Sequence, residues 1–340
     1  MSQKPVRLGL IGIGTWMKRV HLPNLRLIPD RIEVAAFSTS KEEHAKEVRE
    51  ILKGVAEPKH YATADELLKD DSIEAVIVAT PNPVHGVVAR SAFERGKHVL
   101  CEKPLAVTLA EHDLTVAAAE KHGRVLQVGY ELRHAVFTGY LEEHLRNGDV
   151  GETRMLWTHV LRSGISTPWR HDLAQTGGLF LEILSHEADL FRRLARSEPA
   201  RVSAMGDYGA STAGKNFEQG WLNVEFKNGI GATMALSMVA PYDGEIEIGV
   251  HGTKGTIRAW YVRREFELLR DGSPKRLSRT YDPDASVEHG FSGARRQLET
   301  FAAAVRAGKA EPIADPHGRD ALRICLAGFQ SLKEGREVRL

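Results

Sequence analysis

The chain has 340 residues, enough for about two domains and a substantial core without covalent staples. Hydrophobic residues make up 42% and charged residues 27%, an ordinary globular balance, and a net charge of +1 gives no field to recruit nucleic acid or an anionic membrane. The two cysteines, Cys101 and Cys325, exclude a disulfide framework and a four-thiolate zinc site, and fit a reducing, cytoplasmic setting.

In chain order, "KPVRLGLIGIGTWM" has the basic start and short apolar run of a leader. It continues into Lys18 and Arg19 without a small-residue cleavage site, so it reads as a first strand. Lys18 to Leu27 suits a helix. Then "IEVAAFS" is a strand, "KEEHAKEVREIL" an amphipathic helix, "IEAVIVAT" a strand and "VHGVVARSAFERG" a helix ending on Gly96. "KHVLCE" follows as a strand, then the helix "LAEHDLTVAAAEKHG", capped by Thr108 and stopped by Gly123, and "RVLQVGY" closes the series. Apolar strands separated by helices predict a parallel sheet covered on both faces, a doubly wound α/β domain over residues 1–128.

Beyond Gly151 the texture changes. "TRMLWTHVL", "RVSAMGDY", "GWLNVEF", "IGATMALSM", "GEIEIGVHG", "GTIRAWY" and "EFELLR" are strand candidates with little helix between them, and Asn228-Gly229 signals a hairpin. One long helix interrupts them from about Gly178 to Arg196. Further helices are predicted over Ala294–Ala307 and from about Pro316. Residues 129–340 therefore read as an α+β domain built on a large, mostly antiparallel open sheet. Such a sheet leaves apolar surface exposed in a monomer, so a homo-oligomer, dimer or tetramer, is expected through it. No apolar run approaches the length of a membrane span.

Gly12-Ile13-Gly14 follows the first strand directly. In the dinucleotide fingerprint G-x-G-x-x-G the first glycine permits a tight turn and the second lets backbone approach a pyrophosphate at a helix N-terminus. Met17 stands at the third glycine position, whose service is helix–strand packing. Thr15 and Trp16 continue this candidate cofactor turn. At the end of the second strand, NAD-binding chains carry a carboxylate for the ribose hydroxyls. Here Ser38, Thr39, Ser40 and Lys41 stand instead, which favours NADP over NAD. Ser40 also suits a helix cap.

Three more segments carry chemistry: "ATPNPVHG" after the third predicted strand, "CEKPLA" after the fourth, and "GGLFLEILSHEADLF" at the start of the long helix. With the glycine turn, their order resembles the family of glucose–fructose oxidoreductase, inositol dehydrogenase and MocA-like proteins. The resemblance implies a Rossmann domain binding NADP or NAD, followed by a domain with a large open sheet. It implies that Lys103 is the active-site lysine and that His186 matches the active-site histidine. Glu182 stands where the family usually carries an aspartate. Thr80, Pro81, Asn82, His85, Glu102 and Lys103 are expected at the cofactor. "SHEAD" looks most like the inositol dehydrogenase branch, a pointer to cyclitols or sugars.

Oxidising a secondary alcohol requires hydride transfer, removal of the hydroxyl proton and stabilisation of the developing alkoxide. His186 suits the general base, Lys103 as ammonium suits the alkoxide, and Glu182, four residues before His186, could orient the imidazole or bind another substrate hydroxyl. Tyr130, Arg133, Trp169, Arg170 and Asp189 are candidates at the substrate, a polyol, sugar or cyclitol. In "HEADL" Leu190 occupies the second histidine position of H-E-x-x-H, so a zinc-protease metal site is not expected. Two rivals remain at this level: a hydrolase or lyase that retains its cofactor and oxidises transiently, and a non-catalytic NAD(P)-binding regulator.

Overall fold

The apolar runs of the first part form β1 (Val6–Ile11), β2 (Ile32–Ser38), β3 (Lys59–Tyr61), β4 (Ala75–Val78), β5 (His98–Cys101) and β6 (Leu126–Val128) in a computed structural model of the chain. Residues 4–164, 172–207, 218–242, 244–270, 277–280, 293–309 and 315–340 are described. The strands join in the order β3-β2-β1-β4-β5-β6, each pair parallel. β4 is buried along its whole length, as a strand covered on both faces must be. The order reverses between β1 and β4, the switch point at which such sheets leave a crevice beyond their strand ends.

The helices of this part are α1 (Leu22–Leu25), preceded by a wider turn over Met17–His21, then α2 (Glu42–Leu52), α3 (Ala64–Leu68), α4 (His85–Glu94) and α5 (Leu109–Lys121). Thr108 caps α5 as expected, its Oγ1 accepting the Glu111 N–H at 3.2 Å. Ser40 does not cap α2. The N-cap is Lys41, whose own N–H donates to Thr39 Oγ1 at 3.2 Å.

The second part contains α6 (Val136–Arg146), β7 (Thr153–Leu161), α7 (Leu173–Thr176), α8 (Leu179–Ala195), β8 (Pro199–Asp207), β9 (Gln219–Phe226), β10 (Gly231–Ser237), β11 (Ile246–Gly252), β12 (Gly255–Trp260), β13 (Glu265–Arg270) and β14 (Leu277–Thr280). α9 (Ala294–Ala307), α10 (Arg319–Glu334) and β15 (Val338–Arg339) complete the chain. The second sheet runs β14-β13-β12-β11-β7-β10-β9-β8-β15 and is antiparallel except where β10 lies parallel to β7. β9 and β10 form the hairpin signalled by Asn228-Gly229; Gly229 takes φ +83° and its N–H donates to Phe226 O at 2.9 Å.

The chain divides into two compact units: Met1–His134 with Asp284–Gly318, and Ala135–Pro283 with Arg319–Leu340. This amends the expected boundary between residues 1–128 and 129–340. α9 returns to the first unit because Leu298, Phe301, Ala302 and Val305 complete the core that holds Val6, Leu8, Leu10 and Phe37. The physical reason is apolar area: packing in that core removes the helix stripe from water. No helix among the described residues is long and apolar enough to cross a membrane.

Candidate active site

The turns after β1, β2, β4 and β5 all lie at the carboxyl edge of the parallel sheet, and they carry most of the residues singled out in the sequence. β1 ends at Ile11, whose carbonyl accepts the Ala79 N–H at 2.9 Å and so fixes the turn against the end of β4. Gly12 takes φ +89°, and a Cβ there would lie 2.5 Å from the carbonyl carbon and oxygen of Ala79. Gly14 is different: nothing lies within 4 Å of where its Cβ would be. Its carbonyl accepts the Lys18 N–H at 3.1 Å, so helical structure begins directly behind it, with Thr15 exposed and Trp16 half-buried. Met17, in place of the third glycine, is fully buried in the core of the sheet.

At the end of β2, Ser38 is buried, Thr39 half-buried, and Ser40 and Lys41 exposed. The backbone of Thr39 is pinned from both sides: its N–H donates to Tyr61 O at 3.0 Å, and His60 Nε2 lies 2.8 Å from its carbonyl.

After β4 come Thr80, Pro81 and buried Asn82, then His85 at the start of α4. The His85 ring reaches two carbonyls, Thr80 O at 2.6 Å from Nε2 and Pro104 O at 2.8 Å from Nδ1. It thereby joins the turn after β4 to the turn after β5. Thr80 Oγ1 is a buried hydroxyl with no hydrogen-bond partner among the described residues. An open approach at Gly14 and a buried hydroxyl available at Thr80, both beside a helix start, fit a bound dinucleotide.

After β5, Glu102 is buried and Lys103 half-buried. The Glu102 N–H continues the sheet by donating to Val78 O at 2.8 Å. Its carboxylate is held in place by His21, with Nε2 to Oε1 at 2.7 Å, and accepts the Lys103 N–H on Oε2 at 3.3 Å. Gly129 leaves room for this group: a Cβ at 129 would lie 2.7–2.9 Å from the carboxylate atoms. Burial, with the Glu102 charge adding to it, pushes the Cys101 thiol well above its ordinary range, so Cys101 is no thiolate nucleophile.

His21 is the residue that the motifs did not flag. Its signal was available in the helical pattern, since Met17, Val20 and His21 share the buried face, and a polar group on such a face requires a partner. With 15 histidines in the chain, the partner could not be read from the sequence.

In the second unit, Gly177 and Gly178 take φ +72° and +96° and lead into α8. The Gly178 N–H donates to Thr176 Oγ1 at 3.0 Å, and the Gly178 carbonyl accepts the Glu182 N–H at 3.0 Å, which starts the helix. Glu182 and Asp189 are buried and His186 is half-buried; spacings of four and three residues align them along one face. Arg192 and Arg193, the neighbouring cations, pair with Asp320 (3.2 Å) and Glu142 (2.8 Å) respectively.

Tyr130 and Arg133, expected at the substrate, are engaged in packing within the first unit. Tyr130 is 2% exposed and lies under the Arg133 guanidinium, 5.0 Å from ring centroid to Cζ. Arg133 donates to Pro316 O at 2.7 Å and Asp315 O at 3.1 Å. Trp169 and Arg170 lie outside the described residues. Among the described residues no group of three or more His, Cys, Asp or Glu side chains is placed to hold a metal ion.

Residues 6–130 match a family model described as an oxidoreductase family with an NAD-binding Rossmann fold, and residues 139–258 match the GFO/IDH/MocA C-terminal domain. Myo-inositol 2-dehydrogenase of Thermotoga maritima is 30% identical over 339 residues, 98% of each chain. The scyllo-inositol 2-dehydrogenase (NAD(+)) of Bacillus subtilis is 26% identical over 284 residues, covering 81% of this chain and 80% of its own. Among solved structures, the aldose–aldose oxidoreductase of Caulobacter crescentus, complexed with glycerol, superposes with a TM-score of 0.85 at 24% identity, over 99% of this chain and 100% of that one.

Proposed function

Because this chain belongs to the GFO/IDH/MocA family of oxidoreductases with an NAD-binding Rossmann fold, we propose that it catalyses reversible oxidation of a secondary alcohol on a cyclitol, sugar or sugar derivative. The observation that carries this reading is Lys103, set at the carboxyl edge of the parallel sheet on a turn tied down at both flanks. When bound, the nicotinamide takes up or returns the hydride. Gly12, Gly14, Thr15 and Trp16 form its phosphate turn, and Thr80, Pro81, Asn82 and His85 line the neighbouring turn. Lys103 donates to the alcohol oxygen and stabilises the charge that develops there. His186 accepts the hydroxyl proton, and Glu182 orients the imidazole or binds a second hydroxyl. Asp189, further along the same face of α8, is assigned to the substrate hydroxyls.

The cofactor we assign is NADP in preference to NAD. The turn Ser38–Lys41 offers hydroxyls and an exposed ammonium where a carboxylate would repel a ribose 2′-phosphate. A cytoplasmic location belongs to this reading, since the chain carries two buried cysteines and no disulfide framework. So does a homo-oligomer through the outward face of the second sheet, where Trp221 (53% exposed) pairs across strands with Met205 (63% exposed).

The test is formation of reduced nicotinamide from NADP and NAD across myo-inositol, scyllo-inositol and a panel of aldoses and anhydrosugars. Lys103→Ala and His186→Ala are expected to lose about 10²–10⁴ in kcat. Turnover retained in both variants would sink the assignment of these residues. Cleavage of a glycoside with no net cofactor change would instead identify a redox-neutral hydrolase. A wild type without turnover on any substrate would favour a regulator. Tighter binding of NAD than of NADP would overturn the cofactor preference.

A further inference from the structure

The Lys103 turn is held on each side by a buried histidine from a different part of the fold. On one side His21, 1% exposed, meets Glu102 Oε1 at 2.7 Å, and the other carboxylate oxygen accepts the Lys103 backbone N–H. On the other side His85, also 1% exposed, reaches Pro104 O at 2.8 Å. The residues immediately before and after the lysine are thus both anchored, while Lys103 itself is only half-buried.

The chemistry of the first anchor is specific. An ionised Glu102 only accepts, so His21 must carry its proton on Nε2. Nδ1 of the same ring is buried with no hydrogen-bond partner among the described residues, and Nε2 meets Glu102. A buried carboxylate is costly without such partners. Retaining Glu102 and His21 together in the core, next to a glycine that cannot carry a side chain without striking the carboxylate, is an arrangement an apolar pair would replace if only packing were at stake.

We propose that His21 is a positioning residue for Lys103, acting through the Glu102 carboxylate, with His85 as the opposite anchor of the same turn. The proposal rests on the reading of Lys103 as the group that meets the substrate oxygen. The brace fixes the backbone from which the Lys103 side chain projects, so its contribution lies in orientation.

The experiment compares full-length wild type with His21→Leu, His21→Gln, His21→Asn and Gly129→Ala, each first checked for a retained unfolding midpoint. Amide hydrogen exchange is read on the peptide covering residues 102–108, and turnover on the active substrate of the panel above. The glutamine amide nitrogen overlays imidazole Nε2 and can donate to Glu102; the asparagine amide overlays Nδ1 and cannot. His21→Leu, His21→Asn and Gly129→Ala are expected to raise exchange at the turn at least tenfold. They are also expected to lower kcat at least tenfold, with the dissociation constant for the reduced cofactor within threefold of wild type. His21→Gln is expected to recover most of both. Wild-type exchange in His21→Leu, or equal behaviour of the Gln and Asn variants, overturns the brace. Raised exchange with unchanged kcat overturns the positioning role. Full turnover by Lys103→Ala marks failure of the functional reading instead, and the exchange result still decides whether the brace exists.

Discussion

Gly12 and Ala79 meet backbone to backbone: a Cβ at position 12 would sit 2.5 Å from the Ala79 carbonyl, in a residue whose φ is +89°. Gly14, two residues on, has open space where its Cβ would be. The two glycines of one motif therefore do different physical work, the first inside the protein and the second toward whatever approaches it. Gly12→Ala is expected to cost about 3 kcal/mol or more, because neither the φ nor the neighbouring backbone can yield cheaply. Gly14→Ala is expected to change stability by less than about 0.5 kcal/mol and to weaken NAD(P) binding about tenfold or more. Denaturant midpoints and cofactor titration separate the two, and a stable, cofactor-blind Gly12→Ala would contradict the division.

Met17 occupies the third fingerprint position and is fully buried. Restoring glycine there would delete a core side chain and loosen a helical turn. Met17→Gly is expected to destabilise by about 3–5 kcal/mol and to bring no tighter cofactor binding. A variant of wild-type stability with improved affinity would show that the methionine is a defect of the phosphate turn rather than part of the core.

Gly318, at φ +72°, faces Tyr130 so closely that a Cβ would lie 2.1 Å from the ring. The ring cannot swing away freely, since Arg133 covers it and is itself tied to the carbonyls of Asp315 and Pro316. Gly318→Ala is expected to cost about 2–4 kcal/mol from backbone strain and overpacking together. Tyr130→Leu is the companion variant, expected to leave room for the alanine, so the double variant should lose less than the sum of the singles. Additive losses would show that the ring is not what Gly318 accommodates.

His317 lies in the same turn. Burial pushes its imidazole down to about 4, and the charges of His112 and Arg133 act in the same direction. In the unfolded chain the ring takes a proton as pH falls through about 6.5. The folded state then binds fewer protons than the unfolded state, so stability is full above that pH and declines toward pH 4. The loss has an upper limit on the order of 3 kcal/mol. His317→Asn should flatten the slope of unfolding free energy against pH between about 6.5 and 4 relative to wild type. An unchanged slope would mean that His317 is protonated in the fold.

Much of the architecture was legible because hydrophobic period reports burial directly. β7 was read to its residue limits from "TRMLWTHVL", and α9 was expected around Ala294 to Ala307, where it lies. The short strand β3, with no residue fully buried, carried too weak a pattern to register. The same holds for β15, two residues long and defined only by its pairing with β8. In the candidate site, Glu102, Lys103, Thr80 and His85 were marked by their place after buried strands. Tyr130 and Arg133 carried the residue types of a ligand site, and their contacts with the 315–318 turn lie too far along the chain for a local pattern to name.

By itself the sequence determined the class of the strongly periodic elements, the parallel sheet with its glycine turn, and the strand ends where chemistry would gather. These follow from periodicities and backbone preferences that act over a few residues. Only the tertiary structure decided that α9 belongs to the first core, that His21 is the partner of Glu102 across 81 positions of chain, and that Met17 and Tyr130 are interior. Pairing of a buried carboxylate and the sealing of a ring by a glycine are contacts between distant segments, and no local pattern names the partner.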